Sequence, residues 1–184
     1  MSARHSPDLR WSTVQRRHRS RRSDPSWLRQ NGPVQIAQDD PTRADVTALL
    51  REHLADMVAT SPPESVHALG IDALRHPSIT FVTARRDGLL LGCAALKELD
   101  SSHAEIKSMR TTAAARGTGV GRALLTHVIN LARDRGHSRL SLETGTQTYF
   151  EPARALYRTA GFIPTGPFDS YTVDPNSAYL TLRL

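Results

Sequence analysis

Apolar residues in the first third of the chain recur every three or four positions, which is the repeat of an amphipathic helix. This pattern occupies residues 42–60 and predicts one buried face. The apolar residues on that face are Val46, Leu49, Leu50, Leu54, Met57 and Val58. Ser61-Pro62-Pro63 interrupts the pattern, and residues 64–74 predict a second, shorter helix that ends before Pro77.

Two more helices are predicted in the second half of the chain. Residues 119–135 carry an apolar stripe and are followed by Gly136, a residue favoured just beyond a helix end. Residues 152–160 are followed in the same way by Gly161. We therefore expect four helices in all, two before and two after the middle of the chain.

Short apolar runs bounded by turn residues predict seven strands. They cover residues 34–37, 79–83, 89–99, 103–111, 139–143, 162–163 and 178–184. Asp87-Gly88 separates the second and third strands and predicts a hairpin. The element order indicates an α/β fold with a mixed sheet, an antiparallel N-terminal half and a crossover connection in the C-terminal half.

Charge divides the chain into two parts. The whole sequence of 184 residues carries a net charge of +6, and residues 1–33 hold all of it, with eight arginines against Asp8 and Asp24. Their polarity predicts a disordered basic arm, which could contact nucleic acid or acidic lipid, although a solvated tail is the simpler interpretation. Residues 34–184 predict one domain, because their length suffices for a single core.

Several features limit the environment in which the protein works. No apolar stretch is long enough to span a bilayer, and the N-terminus lacks the apolar region of a secretory signal. Cys93 is the single cysteine, so no internal disulfide can form, and it lies in an apolar run that predicts burial. We expect a cytoplasmic protein without membrane partners. The histidines lack metal-ligand spacing, so no metal is expected.

The segment from Arg116 to Arg122 contains three alternating glycines between a predicted strand and a predicted helix. Glycines let a ligand approach the backbone closely, and the free N–H groups and dipole of a helix N-terminus favour an anion. Arg116 and Arg122 add positive charge. A phosphate or pyrophosphate is the expected ligand of this loop.

The glycine spacing also has to be compared with two common nucleotide-binding loops. A P-loop would require Gly-Lys-Ser/Thr, whereas Gly121 is followed by Arg122-Ala123. A dinucleotide-binding loop would need a third glycine at position 122, but the acidic Glu143 lies at a suitable distance downstream, so an NAD(P)-binding enzyme stays an alternative. A loop that binds no ligand and a catalytically inactive module that binds coenzyme A or nucleic acid also stay open.

Two motifs resemble the GNAT superfamily of N-acetyltransferases. Residues 116–121, Arg-Gly-Thr-Gly-Val-Gly, match its R/Q-x-x-G-x-G/A signature, and residues 155–162 resemble its second signature, a tyrosine followed by Gly-Phe. Residues 57–67 and 106–111 are most similar to a branch of bacterial acetyltransferases. The resemblance covers residues 34–184 and implies a GNAT-like fold with splayed central strands and helices on both faces. It also implies transfer of an acetyl group from acetyl-CoA to a primary amine, of a small molecule or a protein, by direct attack.

The resemblance also implies roles for residues along the cofactor. Strand residues 109–111 would lie against the cofactor, with Met109 and Thr111 on the pantetheine arm and Arg110 between them. The pyrophosphate would rest on the glycine loop. Its residues are Arg116, Gly117, Thr118, Gly119, Val120, Gly121 and Arg122. One departure is Phe150, because many relatives carry an asparagine there that contacts the cofactor.

For catalysis, the resemblance implies Tyr157 as the acid that protonates the leaving thiolate and Glu105 as the general base, with Glu143, His67 or water as substitutes. The acceptor pocket is expected near the linker after the first helix. Its predicted residues are Ser61, Glu64, His67 and Glu143. Simple helix capping explains Ser61 and Glu64 equally well. An exposed sheet edge near residues 179–184 is compatible with a homodimer.

Overall fold

The computed structural model describes residues 32–184, and the predicted basic arm falls almost entirely outside them. Three α-helices and seven β-strands form the described fold. The helices are α1 (Ala44–Thr60), α2 (Val120–Asp134) and α3 (Glu151–Thr159); the strands are β1 (Gln35–Gln38), β2 (Ile79–Arg86), β3 (Leu89–Glu98), β4 (His103–Thr111), β5 (Arg139–Gly145), β6 (Ile163–Thr165) and β7 (Ser177–Arg183). No helix within residues 32–184 is long and apolar enough to cross a membrane.

The seven strands form one mixed sheet in the order β1-β2-β3-β4-β5-β7-β6. Every neighbouring pair is antiparallel except β4 and β5, which run parallel because α2 connects them as a crossover. The turn between β2 and β3 places Asp87 at φ 50° and Gly88 at φ 81°, the left-handed backbone that tight hairpins require. These features confirm the predicted fold class and the predicted hairpin.

Helices cover both faces of the sheet, as predicted. Successive residues of β3 illustrate this arrangement, since Ala94 packs with α2 and α3 whereas Cys93 and Ala95 pack with α1. The core beneath α2 and α3 is the larger of the two. Its helical members include Leu124, Leu125, Val128, Ala132 and Tyr157.

Three expectations need correction. The predicted helix over residues 64–74 is absent; only short 3-10 turns form there, Pro63–Ser65 and Ala73–Arg75. In α1 the buried face stops early, because Leu54 is 45% exposed and Val58 is 58% exposed. Strand β7 is not an edge, because it lies between β5 and β6. The periodicity correctly predicted that α1 is a helix. It could not show how far the sheet beneath α1 extends, and therefore where the buried face ends.

Pairing between β4 and β5 stops halfway along both strands. The last paired residues are Ile106 and Leu142, although β4 continues to Thr111 and β5 to Gly145. A β-bulge interrupts the pairing of β4 with β3 just beyond this point, where Ser108 has a φ of 50°. Such bulges bend a strand, so the two central strands diverge. The predicted splay of the central strands is confirmed.

Candidate active site

A cleft of about 800 Å³ opens where β4 and β5 diverge. It collects residues from β4, from the start of α2 and from α3 that lie far apart in the sequence. Nine of the predicted cofactor and catalytic residues line it: Met109, Arg110, Thr111, Arg116, Gly117, Gly119, Gly121, Arg122 and Tyr157. The glycine loop and the tyrosine of the second motif therefore face one common cavity.

The wall formed by β4 offers free backbone groups to this cleft. The N–H of Thr112 donates to the carbonyl of Leu91 on β3, at 2.9 Å. Because backbone polar groups alternate in direction along a strand, those of Thr111 and Met109 point to the opposite side, where β5 has moved away. An extended ligand with its own amides could hydrogen-bond there as an added strand.

The N-terminus of α2 supplies a second set of free donors. Among residues 32–184, neither a carbonyl nor a side chain accepts a hydrogen bond from the N–H groups of residues 119–122. Gly117 and Gly119 have φ values of 74° and 89°, a conformation that side chains with a Cβ disfavour. These glycines turn the chain so that several amides and the positive end of the helix dipole converge.

The side chains of the loop divide into two groups. Arg122 makes no ion pair with any residue in 32–184, and Arg116 only approaches Glu52 to 3.9 Å, so both guanidinium groups are available to an anion. Thr118 instead donates its hydroxyl to the carbonyl of Ala115 at 2.7 Å, and Val120 is buried in the core. These last two side chains shape the loop.

Arg110 lines the cleft, but its guanidinium is already engaged. One of its terminal nitrogens lies 2.6 Å from a carboxylate oxygen of Glu52 and 2.6 Å from one of Asp56, both on α1. Tyr149 donates its hydroxyl to the same Asp56 at 2.6 Å. The Arg110 side chain therefore links β4 to α1. The predicted cofactor contact fits only the backbone of Arg110, which lies in β4 beside the cleft.

Tyr157 projects from α3 into the same cleft. Its residue is 7% exposed, and its hydroxyl has no hydrogen-bond partner within residues 32–184. Burial, and then the negative charge of Glu143, raise the pKa of Tyr157 to about 12. The phenol is thus protonated at neutral pH, and its proton is free to be donated to a group in the cleft.

His53 on α1 also lines the cleft, and sequence reasoning did not single it out. Burial, and then the charge of Arg110, lower the pKa of His53 to about 4, so its imidazole is neutral at physiological pH. A signal was present in the sequence, because His53 lies three residues after Leu50, on the buried face of the helix.

On the α1 face of the sheet, Lys97 of β3 and Glu105 and Lys107 of β4 form a polar cluster with Tyr171. Glu105 of β4 is 1% exposed and accepts a hydrogen bond from the Tyr171 hydroxyl at 2.6 Å. The ammonium group of Lys107 lies 3.3 Å from Glu105, and that of Lys97 lies 3.9 Å from it. The predicted base is therefore enclosed by two lysines and a tyrosine.

Glu143 of β5 lies on the same face of the sheet as Glu105. It pairs across the sheet with Tyr179, and its carboxylate accepts a hydrogen bond from Ser177 at 2.8 Å. Burial raises the pKa of Glu143. Burial, and then the charge of Glu143 among other groups, raises the pKa of both Tyr157 and Tyr171.

The predicted acceptor residues are only partly brought together. His67 packs edge-to-face against Tyr171, with ring centroids 5.1 Å apart, and so joins Glu143 at the polar cluster. Ser61 ends α1 and donates its N–H to the carbonyl of Met57, with no contact to that cluster. The side chain of Glu64 lies outside the described part of the structure.

The loop between β6 and β7 contributes the residues that sequence reasoning missed. Tyr171 and Phe168 pack against each other at 5.1 Å, and the hydroxyl of Tyr179 donates to the carbonyl of Thr172 at 2.8 Å. Asp169 pairs with Lys97 at 3.0 Å. The length of this loop was the available signal, because loops of such length in compact domains are often functional.

Comparison with known proteins agrees with this geometry. The model of the acetyltransferase (GNAT) family matches residues 46–162. The chain is 51% identical to the uncharacterized N-acetyltransferase YsnE of Bacillus subtilis over 151 residues, which cover 82% of this chain and 100% of the relative. It is 44% identical to the uncharacterized N-acetyltransferase YedL of Escherichia coli over 149 residues, which cover 81% of this chain and 94% of the relative.

A solved structure shows the same fold. It is a GNAT family acetyltransferase from Elizabethkingia anophelis with acetyl-CoA bound, which is 20% identical with a TM-score of 0.58. The match covers 82% of this chain and 98% of that chain. The chain carries two matched motifs and a splayed sheet of the same fold, and it matches its relatives over nearly their full length. The chain therefore belongs to the GNAT family of acetyltransferases.

Proposed function

We propose that the protein transfers the acetyl group of acetyl-CoA to a primary amine by direct attack of the amine on the thioester. The observation that carries this proposal is the junction of two sets of free donors in one cleft. The N-terminus of α2 offers four amides without a partner in residues 32–184, and the diverging strand β4 offers the backbone groups of Met109 and Thr111. A pyrophosphate attached to an extended chain of amides matches both.

The cofactor would lie with its pyrophosphate on residues 116–122, where Arg116 and Arg122 add charge. Its pantetheine arm would extend along Met109 and Thr111 toward Tyr157. The acetyl-CoA-bound structure from Elizabethkingia anophelis supports this choice of co-substrate, because it shares the fold over 82% of this chain. Phe150 is buried and lines the cleft, so an apolar side chain stands where many relatives carry an asparagine.

The chemistry follows from the groups around the end of the cleft. The amine nitrogen attacks the thioester carbonyl, whose oxygen can accept a hydrogen bond from a free backbone N–H of β4. The carbon–sulfur bond then breaks as the phenol of Tyr157 donates its proton to the departing sulfur, and the proton that the attacking nitrogen loses restores the phenol, directly or through water. Tyr157 is suited to this step because it is protonated at neutral pH and its hydroxyl has no other partner in residues 32–184.

The acceptor would enter from the α1 face, beside the polar cluster. Glu143 is half-buried there, and its carboxylate accepts a hydrogen bond from Ser177. A carboxylate in this position can attract an ammonium group and hold the amine near the thioester. This placement favours a primary amine over a neutral hydroxyl acceptor.

The test is the release of free thiol from acetyl-CoA in the presence of a panel of primary amines. We expect amine-dependent release by the full chain, with a product of acetylated amine confirmed by mass spectrometry. The Tyr157→Phe variant should bind acetyl-CoA with the wild-type dissociation constant but release thiol about 100-fold more slowly. No acetyl-CoA binding by calorimetry, together with no turnover on any amine, would refute the proposal.

A further inference from the structure

A short hydrogen-bonded chain crosses the polar cluster beside the cleft. The ammonium group of Lys107 donates to the Tyr171 hydroxyl at 2.6 Å, and that hydroxyl donates to Glu105, also at 2.6 Å. A lysine ammonium has donors only, so the Tyr171 hydroxyl cannot donate to Lys107. The direction of the phenolic proton is therefore fixed toward Glu105.

Glu105 cannot meet an acceptor amine directly in this arrangement. Its residue is 1% exposed, and Tyr171, Lys107 and Lys97 surround its carboxylate. A carboxylate that is to remove a proton must lie within hydrogen-bond reach of it, or be connected to it by an intervening group. Tyr171 is the neutral group already bonded to Glu105.

We propose that Tyr171 is a catalytic residue that takes the proton from the acceptor ammonium while passing its own proton to Glu105. This inference rests on the proposed function. An N–H bond of the ammonium breaks as an O–H bond forms on Tyr171; at the same time the original O–H bond of Tyr171 breaks and one forms on Glu105. An ammonium and a carboxylate become a neutral amine and a carboxylic acid, so protons and charge balance.

The phenolic oxygen has the capacity for this role. A phenol can donate once and accept twice. Tyr171 donates to Glu105 and accepts from Lys107, which leaves one acceptor site for the acceptor ammonium. The loop is also held in place, since His67 and Phe168 pack against the Tyr171 ring at 5.1 Å each.

Tyr171 also lies beside residues of the predicted acceptor pocket. His67 packs against its ring, and Tyr179, the cross-strand partner of Glu143, packs against it with centroids 5.5 Å apart. Titratable groups around Tyr171 come from four strands and two loops; they are Lys97, Glu105, Lys107, Glu143, Tyr179, His67 and Asp169.

The experiment compares pH profiles of kcat/KM for the amine, at saturating acetyl-CoA, in wild type, Tyr171→Phe and Glu105→Gln. The probes are phenethylamine, tyramine, putrescine and glycinamide, and the fastest wild-type acceptor is carried forward. At pH 7 both variants should lose about 100-fold in kcat/KM. The loss should shrink strongly as the pH approaches the pKa of the amine used, about 10 for the alkyl amines and about 8 for glycinamide, because the amine then arrives already deprotonated. The KM for acetyl-CoA should not change.

The Tyr179→Phe variant serves as the control. Tyr179 braces the same loop through Thr172 but does not touch Glu105, so its pH profile should keep the wild-type shape. A Tyr171→Phe profile of wild-type shape, or an equal loss at every pH, would overturn the inference. Should Tyr171→Phe fail to fold, the pH profile of Glu105→Gln is used instead, because glutamine keeps the shape of the glutamate side chain and removes the proton acceptor. A Glu105→Gln profile of wild-type shape, or an equal loss at every pH, would likewise overturn the inference. Absence of turnover in the wild type would refute the proposed function instead.

Discussion

Substitution of Gly119 by alanine tests whether the geometry of the glycine loop, rather than its open space, determines cofactor binding. A Cβ at Gly119 would meet nothing within 4 Å, so it causes no clash. However, Gly119 has a φ of 89°, which residues with a Cβ rarely adopt. Gly121 provides the matched control, because it lies within α2 and its Cβ would touch Leu156 and Thr111 at 3.5 and 3.7 Å, ordinary contact distances.

The expected magnitudes differ for the two variants. Left-handed backbone costs a residue with a Cβ about 1–2 kcal/mol, so the loop of Gly119→Ala relaxes or becomes less stable. Relaxation turns at least one amide away from the pyrophosphate, and a hydrogen bond to a charged group is worth about 1.5–3 kcal/mol. The dissociation constant for acetyl-CoA should therefore rise about 10- to 100-fold. Gly121→Ala should gain up to about 1 kcal/mol in helix stability, with affinity within about threefold of wild type.

Isothermal titration calorimetry with acetyl-CoA measures both affinities, and urea unfolding measures both stabilities. The diagnostic result is the contrast between two single-methyl changes two residues apart. Wild-type affinity in Gly119→Ala, or an equal loss in Gly121→Ala, would show that the amides of this loop do not hold the cofactor.

Two further predictions concern buried charges. Burial raises the pKa of Glu143, so the folded protein binds the carboxyl proton of Glu143 more tightly than the unfolded chain does. The stability that this gives is present at low pH and is lost as the pH rises through the folded pKa. Glu143→Gln should thus unfold at higher urea concentration than wild type at pH 7, with a difference that disappears below the ordinary glutamate pKa of about 4.3. At Arg110, whose side chain is 7% exposed, removal of both partners in Glu52→Gln/Asp56→Asn should destabilise the fold by about 3 kcal/mol, because a buried charge is left unpaired. The Arg110→Met variant should lose clearly less stability than this double variant. A larger loss for Arg110→Met in urea unfolding would contradict this account.

Local signals predicted most of the fold. The bounds predicted for β4, residues 103–111, are those observed, because alternating residues and flanking turns define a strand from its own sequence. The Asp87-Gly88 hairpin followed from backbone preference alone. The helix predicted over residues 64–74 was wrong because only short 3-10 turns form around an irregular segment, and periodicity in a short window could not distinguish the two.

The cofactor side of the site was also largely predictable, since its donors belong to one continuous motif between β4 and α2. Arg110 shows the limit of that approach: its side chain binds carboxylates 54 and 58 residues earlier in the chain. The acceptor side depends on such distant contacts throughout. Tyr171 lies 66 residues after Glu105, and only the folded sheet brings them within 2.6 Å.

The central claim is that acetyl-CoA lies along the gap between β4 and β5 with its pyrophosphate on the start of α2. Amide hydrogen exchange, resolved by residue with and without acetyl-CoA, tests it most directly. Protection should appear at Met109, Thr111 and residues 119–122, whose N–H groups gain acceptors. Protection confined to the groove between β1 and α2, lined by Val34, Ile36 and His127, would contradict the claim.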